Sequence, residues 1–156
     1  MRFNSLIEAL AREHPPSPLF ASHITLLGGI RGAEDDLLQG LNELAGAIQP
    51  FQVRLEGLAG HEDSFYRCLY LRAEPSEELL RARKEAERIF TRFRNEASEG
   101  EAFMPHLSIL YGRIDNEARQ MMINSLGSAL GCNFRAESVS LYRTDGAPAE
   151  WSRAGG

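Results

Sequence analysis

Pro105-His106-Leu107-Ser108-Ile109-Leu110-Tyr111-Gly112 is the stretch on which the reading of this chain turns. In an extended backbone successive side chains point to opposite faces, so His106 and Ser108 share one face while Leu107 and Ile109 share the other. An imidazole and a hydroxyl are then presented together by a strand whose reverse side can anchor in a core. The pattern occurs a second time at Ser22-His23-Ile24-Thr25-Leu26-Leu27-Gly28, where His23 and Thr25 share a face and Ile24 and Leu26 alternate against them. Alternation predicts a strand for each motif.

Together the pairs supply two imidazoles and two hydroxyls, with no carboxylate or thiolate in either motif. That inventory suits phosphoryl chemistry. One imidazole can take a proton from water, the other can protonate a leaving oxygen, and the hydroxyls can hydrogen-bond the non-bridging phosphate oxygens. Such a reaction requires no metal ion and no other cofactor. A His-x-Ser or His-x-Thr pair is equally what a hydrogen-bonded structural histidine on a strand looks like, so the surrounding residues have to decide.

Those surroundings resemble a known family. Met104 through Tyr111 is similar to the second motif of the cyclic phosphodiesterase branch of the two-histidine (2H) phosphoesterases, and Phe20 to Leu27 resembles the first. Phe65-Tyr66-Arg67-Cys68-Leu69-Tyr70-Leu71 and Phe134 through Asp145 extend the likeness over most of the chain. The resemblance implies an α+β fold of two lobes related by a pseudo-two-fold, each an antiparallel sheet with helices outside, facing a central cleft. It implies opening of a small cyclic phosphodiester, a nucleoside 2′,3′-cyclic phosphate or ADP-ribose 1″,2″-cyclic phosphate, with His23 and His106 catalytic. Thr25 and Ser108 would bind the phosphate, and Tyr111 corresponds to a family tyrosine that contacts it. Simple alternation puts Tyr111 on the face opposite His106, so its role requires a twist or bulge at the strand end. His106 is taken as base and His23 as acid, an assignment the sequence leaves reversible. Relatives usually begin with a strand before the first helix, whereas this sequence opens on that helix. One wall of the cleft and one sheet edge are therefore expected to be affected.

Two other readings use the same residues. One is RNA end-processing or 2′-5′ ligation, since fold does not fix substrate; the other is a nucleotide- or RNA-binding module without turnover. The intact four-residue set argues against the binding module, because binding alone does not need two acid-base imidazoles.

Composition narrows the partners. With 156 residues, 43% of them hydrophobic, residues 1–156 are expected to form one soluble domain, its lobes interleaved and its motifs near 20–28 and 104–112. A formal charge of −5 argues against a surface that tracks a long RNA, and leaves room for a small cyclic nucleotide or sugar phosphate in a local pocket. Only Cys68 and Cys132 are present, too few for a disulfide scaffold and without metal-ligand spacing. No apolar run suggests a signal peptide or membrane span. A cytoplasmic monomer with no membrane partner is the expectation.

Around the motifs, Ser5 and Glu8 read as a capping box opening a helix to about His14, after which Pro15, Pro16 and Pro18 forbid helix. Gly28, Gly29 and Gly32 read as a turn. Leu37, Leu38, Leu41, Leu44 and Ile48 recur at helical spacing. Phe51, Val53 and Leu55 alternate as a strand, Gly57 to Asp63 forms a hairpin loop, and Phe65 to Leu71 returns as the second strand. Tyr66 and Tyr70 could flank a base by stacking, but aromatic strand residues are more often core and they are read so, with His14 and His61 as surface histidines. Pro75-Ser76 starts a charged helix to about Asn95 whose arginines face solvent. Ala97 to Phe103 reads as a loop. Asp115 caps a helix with Met121, Met122, Leu126 and Leu130 as core residues. Phe134 to Leu141 reads as a strand, Thr144-Asp145-Gly146 as a turn, and Trp151 is expected to pack against the body.

Overall fold

The structure is a computed structural model that describes residues 2–95, 102–127 and 129–156. Its elements run α1 (Arg2–Glu13), α2 (Glu34–Ala47), β1 (Phe51–Ala59), β2 (Leu69–Ala73), α3 (Glu77–Phe90), β3 (His106–Leu110), α4 (Asn116–Leu126), β4 (Cys132–Ala136), β5 (Leu141–Arg143) and β6 (Ser152–Gly155). The fold is α+β. Four strands form an antiparallel sheet in the order β3-β2-β1-β4, and β5 pairs with β6 in a second, two-stranded sheet. Among the described residues no helix is long and apolar enough to cross a membrane.

Two apolar clusters define the two lobes. The larger joins Ile7 and Leu10 of α1, Leu79 of α3 and the inward residues of the four-stranded sheet, including Val53, Leu55, Leu71 and Ile109. Fully burying one such aliphatic side chain is worth about 1.5–3 kcal/mol, so this cluster holds the sheet to its helices. The smaller joins Leu44 of α2 with Ala86 and Phe90 of α3, and takes in Ile30 and Val139. Gly40 lets the two helices of this cluster meet, since a Cβ there would press on the Phe90 ring. Leu26, one residue beyond the first motif, packs against both clusters.

Several expected boundaries move, each for a local reason. Helix α1 begins at Arg2, which leaves Ser5 inside it rather than capping it; Phe3 also packs on the core and extends the apolar stripe by a turn. β2 starts only at Leu69 because the carbonyls before it are taken by other partners. Phe65 O accepts from Gly112 N–H, Tyr66 O from the Ser108 hydroxyl, Arg67 O from His61 N–H and Cys68 O from Arg119 Nε. The Ser76 hydroxyl caps α3 as its sequence predicts, but the helix ends at Phe90 and tightens into a 3₁₀ turn over Thr91–Phe93. The loop read at Ala97 to Phe103 lies, as far as residue 101, outside the described residues. Asp115 caps α4 through Ala118 N–H. That start sets the phase of the helix, so Arg119, Met122 and Leu126 turn inward while Met121 is 65% exposed, against its reading as a core residue. The strand expected over Phe134 to Leu141 is two strands: β4 pairs with β1 in the large sheet, and β5 with β6 in the small one. β6 had no sequence signal.

Candidate active site

The two motifs meet. Ile24 and Leu107, the middle residues of the His-x-Thr and His-x-Ser motifs, form an antiparallel bridge. Pairing centred on those two places His23 across from Ser108 and Thr25 across from His106, with all four side chains on the face that Ile24 and Leu107 leave. The arrangement is two-fold about the bridge. A second contact closes it from the side, where the Phe20 ring ahead of the first motif stacks on Tyr111 after the second at 3.7 Å and 16°.

The first motif is held differently from the strand its sequence predicts. Ile24 is paired, but the neighbouring backbone groups are bound by side chains from the helices. Ser22 N–H donates to Asn4 Oδ1 of α1 at 2.7 Å, and Leu26 O accepts from Arg83 Nη1 of α3 at 2.6 Å. The segment is extended and fastened at both ends without lying in a ladder. The reading of the α3 arginines as a solvated row therefore fails at Arg83. Its side chain is only 15% exposed, bonded to Glu87 at 2.8 Å and laid over the Phe103 ring at 5.0 Å.

Each histidine is oriented by a backbone carbonyl two residues before it: His23 Nδ1 lies 2.7 Å from Ala21 O, and His106 Nδ1 lies 2.9 Å from Met104 O. A carbonyl can only accept, so Nδ1 carries the hydrogen in both rings. When neutral, each ring then has its lone pair on Nε2. His23 and Thr25 are exposed, and His106 is half-buried. Burial lowers the His106 pKa below its ordinary value, with the positive charges of Arg67, His23 and His61 acting in the same direction; the Met104 carbonyl opposes them. No carboxylate is among these influences.

Tyr111 lies where the bulge hypothesis requires. In the β2–β3 ladder Leu69 faces Leu110 while Tyr70 faces Ser108, so Ile109 is an extra residue that shifts the alternation. Burial raises the Tyr111 pKa to about 12, and the nearby Ser108 hydroxyl opposes this in part. The phenol therefore remains a protonated donor at neutral pH. Ser108 itself is buried and donates its hydroxyl to Tyr66 O at 2.9 Å. To donate to a ligand it must rotate away from that carbonyl, whereas Thr25 is open to solvent.

Sequence reasoning passed over several neighbours. Tyr70 is buried, as expected of a core aromatic, but it stands directly opposite Ser108 and packs edge-on to His106 at 5.1 Å. Its hydroxyl bonds His61 Nε2 at 3.1 Å, so His61, exposed as expected, is tied to the site. Tyr66 is 49% exposed and not a core residue. Its ring stacks on Trp151 and meets Tyr111 edge-on. Trp151 thus packs against the body at the second motif. The sequence offered Tyr66 and Tyr70 as aromatics that could stack on a base, but it carried no signal for the His61 bond or for which partners the rings meet.

Among the described residues no group of three or more His, Cys, Asp or Glu is placed to hold a metal ion. Both cysteines are free, and burial raises the pKa of Cys68. What the arrangement offers is two imidazoles able to exchange protons, beside hydroxyl groups able to hydrogen-bond a small anion.

Comparison with known proteins matches most of the chain. The family model described as the 2′-5′ RNA ligase superfamily matches residues 2–148. A cyclic phosphodiesterase of Arabidopsis thaliana is 25% identical over 148 residues, covering 92% of this chain and 78% of that protein.

Proposed function

The chain belongs to the 2′-5′ RNA ligase superfamily, and on that premise we propose that it hydrolyses a small cyclic phosphodiester, a nucleoside 2′,3′-cyclic phosphate or ADP-ribose 1″,2″-cyclic phosphate, to a phosphomonoester. The observation that carries the reading is the matched orientation of the two imidazoles, each with Nδ1 committed to a carbonyl and Nε2 left for proton transfer.

In this reading neutral His106 is the base. Its Nε2 takes a proton from water as the water oxygen bonds to phosphorus. Protonated His23 is the acid, giving its Nε2 proton to the ribose 3′-oxygen as the P–O3′ bond breaks, which leaves the phosphate on the 2′ position. The two rings exchange protons with solvent to reset. Half-burial of His106 favours its neutral form, which is why the base is placed there and the acid on the exposed His23. Thr25 and Ser108 hold the equatorial oxygens as charge builds, and the protonated Tyr111 phenol adds a donor.

The superfamily's description also supports a second reading, in which the same groups process or join RNA ends. A net charge of −5 favours a small substrate acting as a monomeric enzyme's ligand. Incubation of the purified protein with adenosine 2′,3′-cyclic phosphate and with ADP-ribose 1″,2″-cyclic phosphate tests the proposal. Ring opening of at least one, abolished in His23→Ala and in His106→Ala, is expected; failure to open either substrate refutes it.

A further inference from the structure

Arg67 has no part in the steps above, yet it is placed unlike the other arginines. Its backbone is fastened on both sides: Arg67 N–H donates to Ser64 Oγ at 3.2 Å, and its carbonyl accepts from His61 N–H at 2.9 Å. The residue before it, Tyr66, supplies the carbonyl that holds the Ser108 hydroxyl. Arg67 therefore leaves the chain at a point locked to the second motif. The side chain is half-buried. Among the described residues no carboxylate pairs with its guanidinium, whereas Arg83, Arg88, Arg135 and Arg143 are each paired with a glutamate. His61, which bonds the Arg67 carbonyl, is bonded in turn to the Tyr70 hydroxyl, and the Tyr70 ring packs on His106, so Arg67 belongs to the network around the second motif; its charge adds to burial in lowering the His106 pKa.

A half-buried cation without a counter-ion, beside imidazoles and hydroxyls and no carboxylate, is an anion site. We propose that Arg67 is a phosphate-binding residue of this site, donating to a non-bridging oxygen of the cyclic phosphate and holding the product phosphomonoester. The proposal rests on the cyclic phosphodiester reading for its substrate. The cyclic diester is a monoanion, and attack by water places further negative charge on the equatorial oxygens, so a fixed guanidinium gains interaction as the reaction proceeds. Its planar fork can also span two such oxygens, which a lysine cannot. The same positive charge keeps His106 in the neutral form that accepts the proton from water.

The test uses the whole protein with Arg67→Gln and Arg67→Lys. Imidazole resonances are followed by NMR against pH, with and without inorganic phosphate, and kcat and KM are measured with adenosine 2′,3′-cyclic phosphate. Arg67→Gln is expected to weaken inorganic phosphate binding about 10–100-fold, the range for losing a hydrogen bond from a charged donor. It is also expected to move the His106 titration to higher pH in the phosphate-free protein. Arg67→Lys should recover part of the binding and restore the titration. Arg67→Gln binding phosphate like the parent, with the His106 titration unmoved, would overturn the proposal. If phosphate binding falls as expected but the parent opens no cyclic phosphate, the anion site stands and the hydrolase reading fails.

Discussion

Replacing Arg83 with methionine tests how the first motif is held, because that arginine links α3 to the carbonyl one residue beyond Thr25. The bond from Nη1 to Leu26 O is 2.6 Å long and partly buried, and a hydrogen bond from a charged donor of this kind is worth about 1.5–3 kcal/mol. The ion pair to Glu87 adds little, since Glu87 is 38% exposed and solvent screens it, so it belongs at the low end of about 0.2–1 kcal/mol. Methionine keeps part of the contact with the Phe103 ring through its sulfur. The expected loss of stability is about 2–3 kcal/mol, read as a lower urea midpoint with unchanged slope. The Ile24 bridge, the Asn4 bond and the packing of Phe20 and Leu26 then fix the segment carrying His23 and Thr25 without its tie to α3, and loosening it by about 1 Å should cut kcat/KM on the order of 100-fold. Arg88→Met on the same helix is the control, because its ion pairs are exposed on both sides and tie nothing to the motif. Should Arg83→Met unfold like the parent and turn over within twofold of it, the segment holds itself and the reasoning is wrong.

Three further outcomes follow from the same geometry. His23→Ala and His106→Ala should each lower turnover by about 10²–10⁴-fold with melting temperatures close to the parent's, since neither ring is part of the core. The pKa of His106 is lowered in the folded state, so the unfolded chain binds the extra proton between the two values. Its contribution to stability is complete above the ordinary value near 6.5 and is lost as pH falls toward the folded value, and the acid limb of kcat/KM should likewise lie below about pH 6.5. Urea midpoints and pH–rate curves of the parent and His106→Ala check both. Arg119, only 3% exposed, bonds the carbonyls of Cys68 and Ile114. Arg119→Met should cost about 2–4 kcal/mol by leaving two carbonyls unpaired, seen in urea unfolding, with KM for the cyclic phosphate unchanged.

What the sequence shows most clearly is what repeats at short range. The strand at His106 to Leu110, the helical stripe of α2, the helix start at Pro75-Ser76 and the cap at Asp115 are local patterns, and each appears in the structure as read. The bulge at Ile109 was legible only as a requirement, because Tyr111 could not otherwise share a side with Ser108. Asn4 and Arg83 were not legible as residues that hold the first motif. Their partners lie far along the chain, as with the 57 residues between Arg83 and Leu26, and a charged residue that serves a distant carbonyl has the same sequence signature as one facing water. The strand expected at the first motif depends on a neighbour to complete its ladder; with Ile24 alone paired, side chains from α1 and α3 take over the backbone groups. Met121 was misread for a related reason: helical spacing identifies a stripe, but the N-cap and the buried Arg119 set which side of it turns inward.

The central claim is that a pair of imidazoles opens a small cyclic phosphate, and a single competition measures it. Adenosine 2′,3′-cyclic phosphate and an oligoribonucleotide ending in the same group are presented together over a range of salt, and 2′- and 3′-phosphate products are resolved. The account predicts turnover of the mononucleotide to the 2′-phosphate with little dependence on salt; preference for the oligonucleotide with a steep loss of activity in salt, or release of the 3′-phosphate, would contradict it.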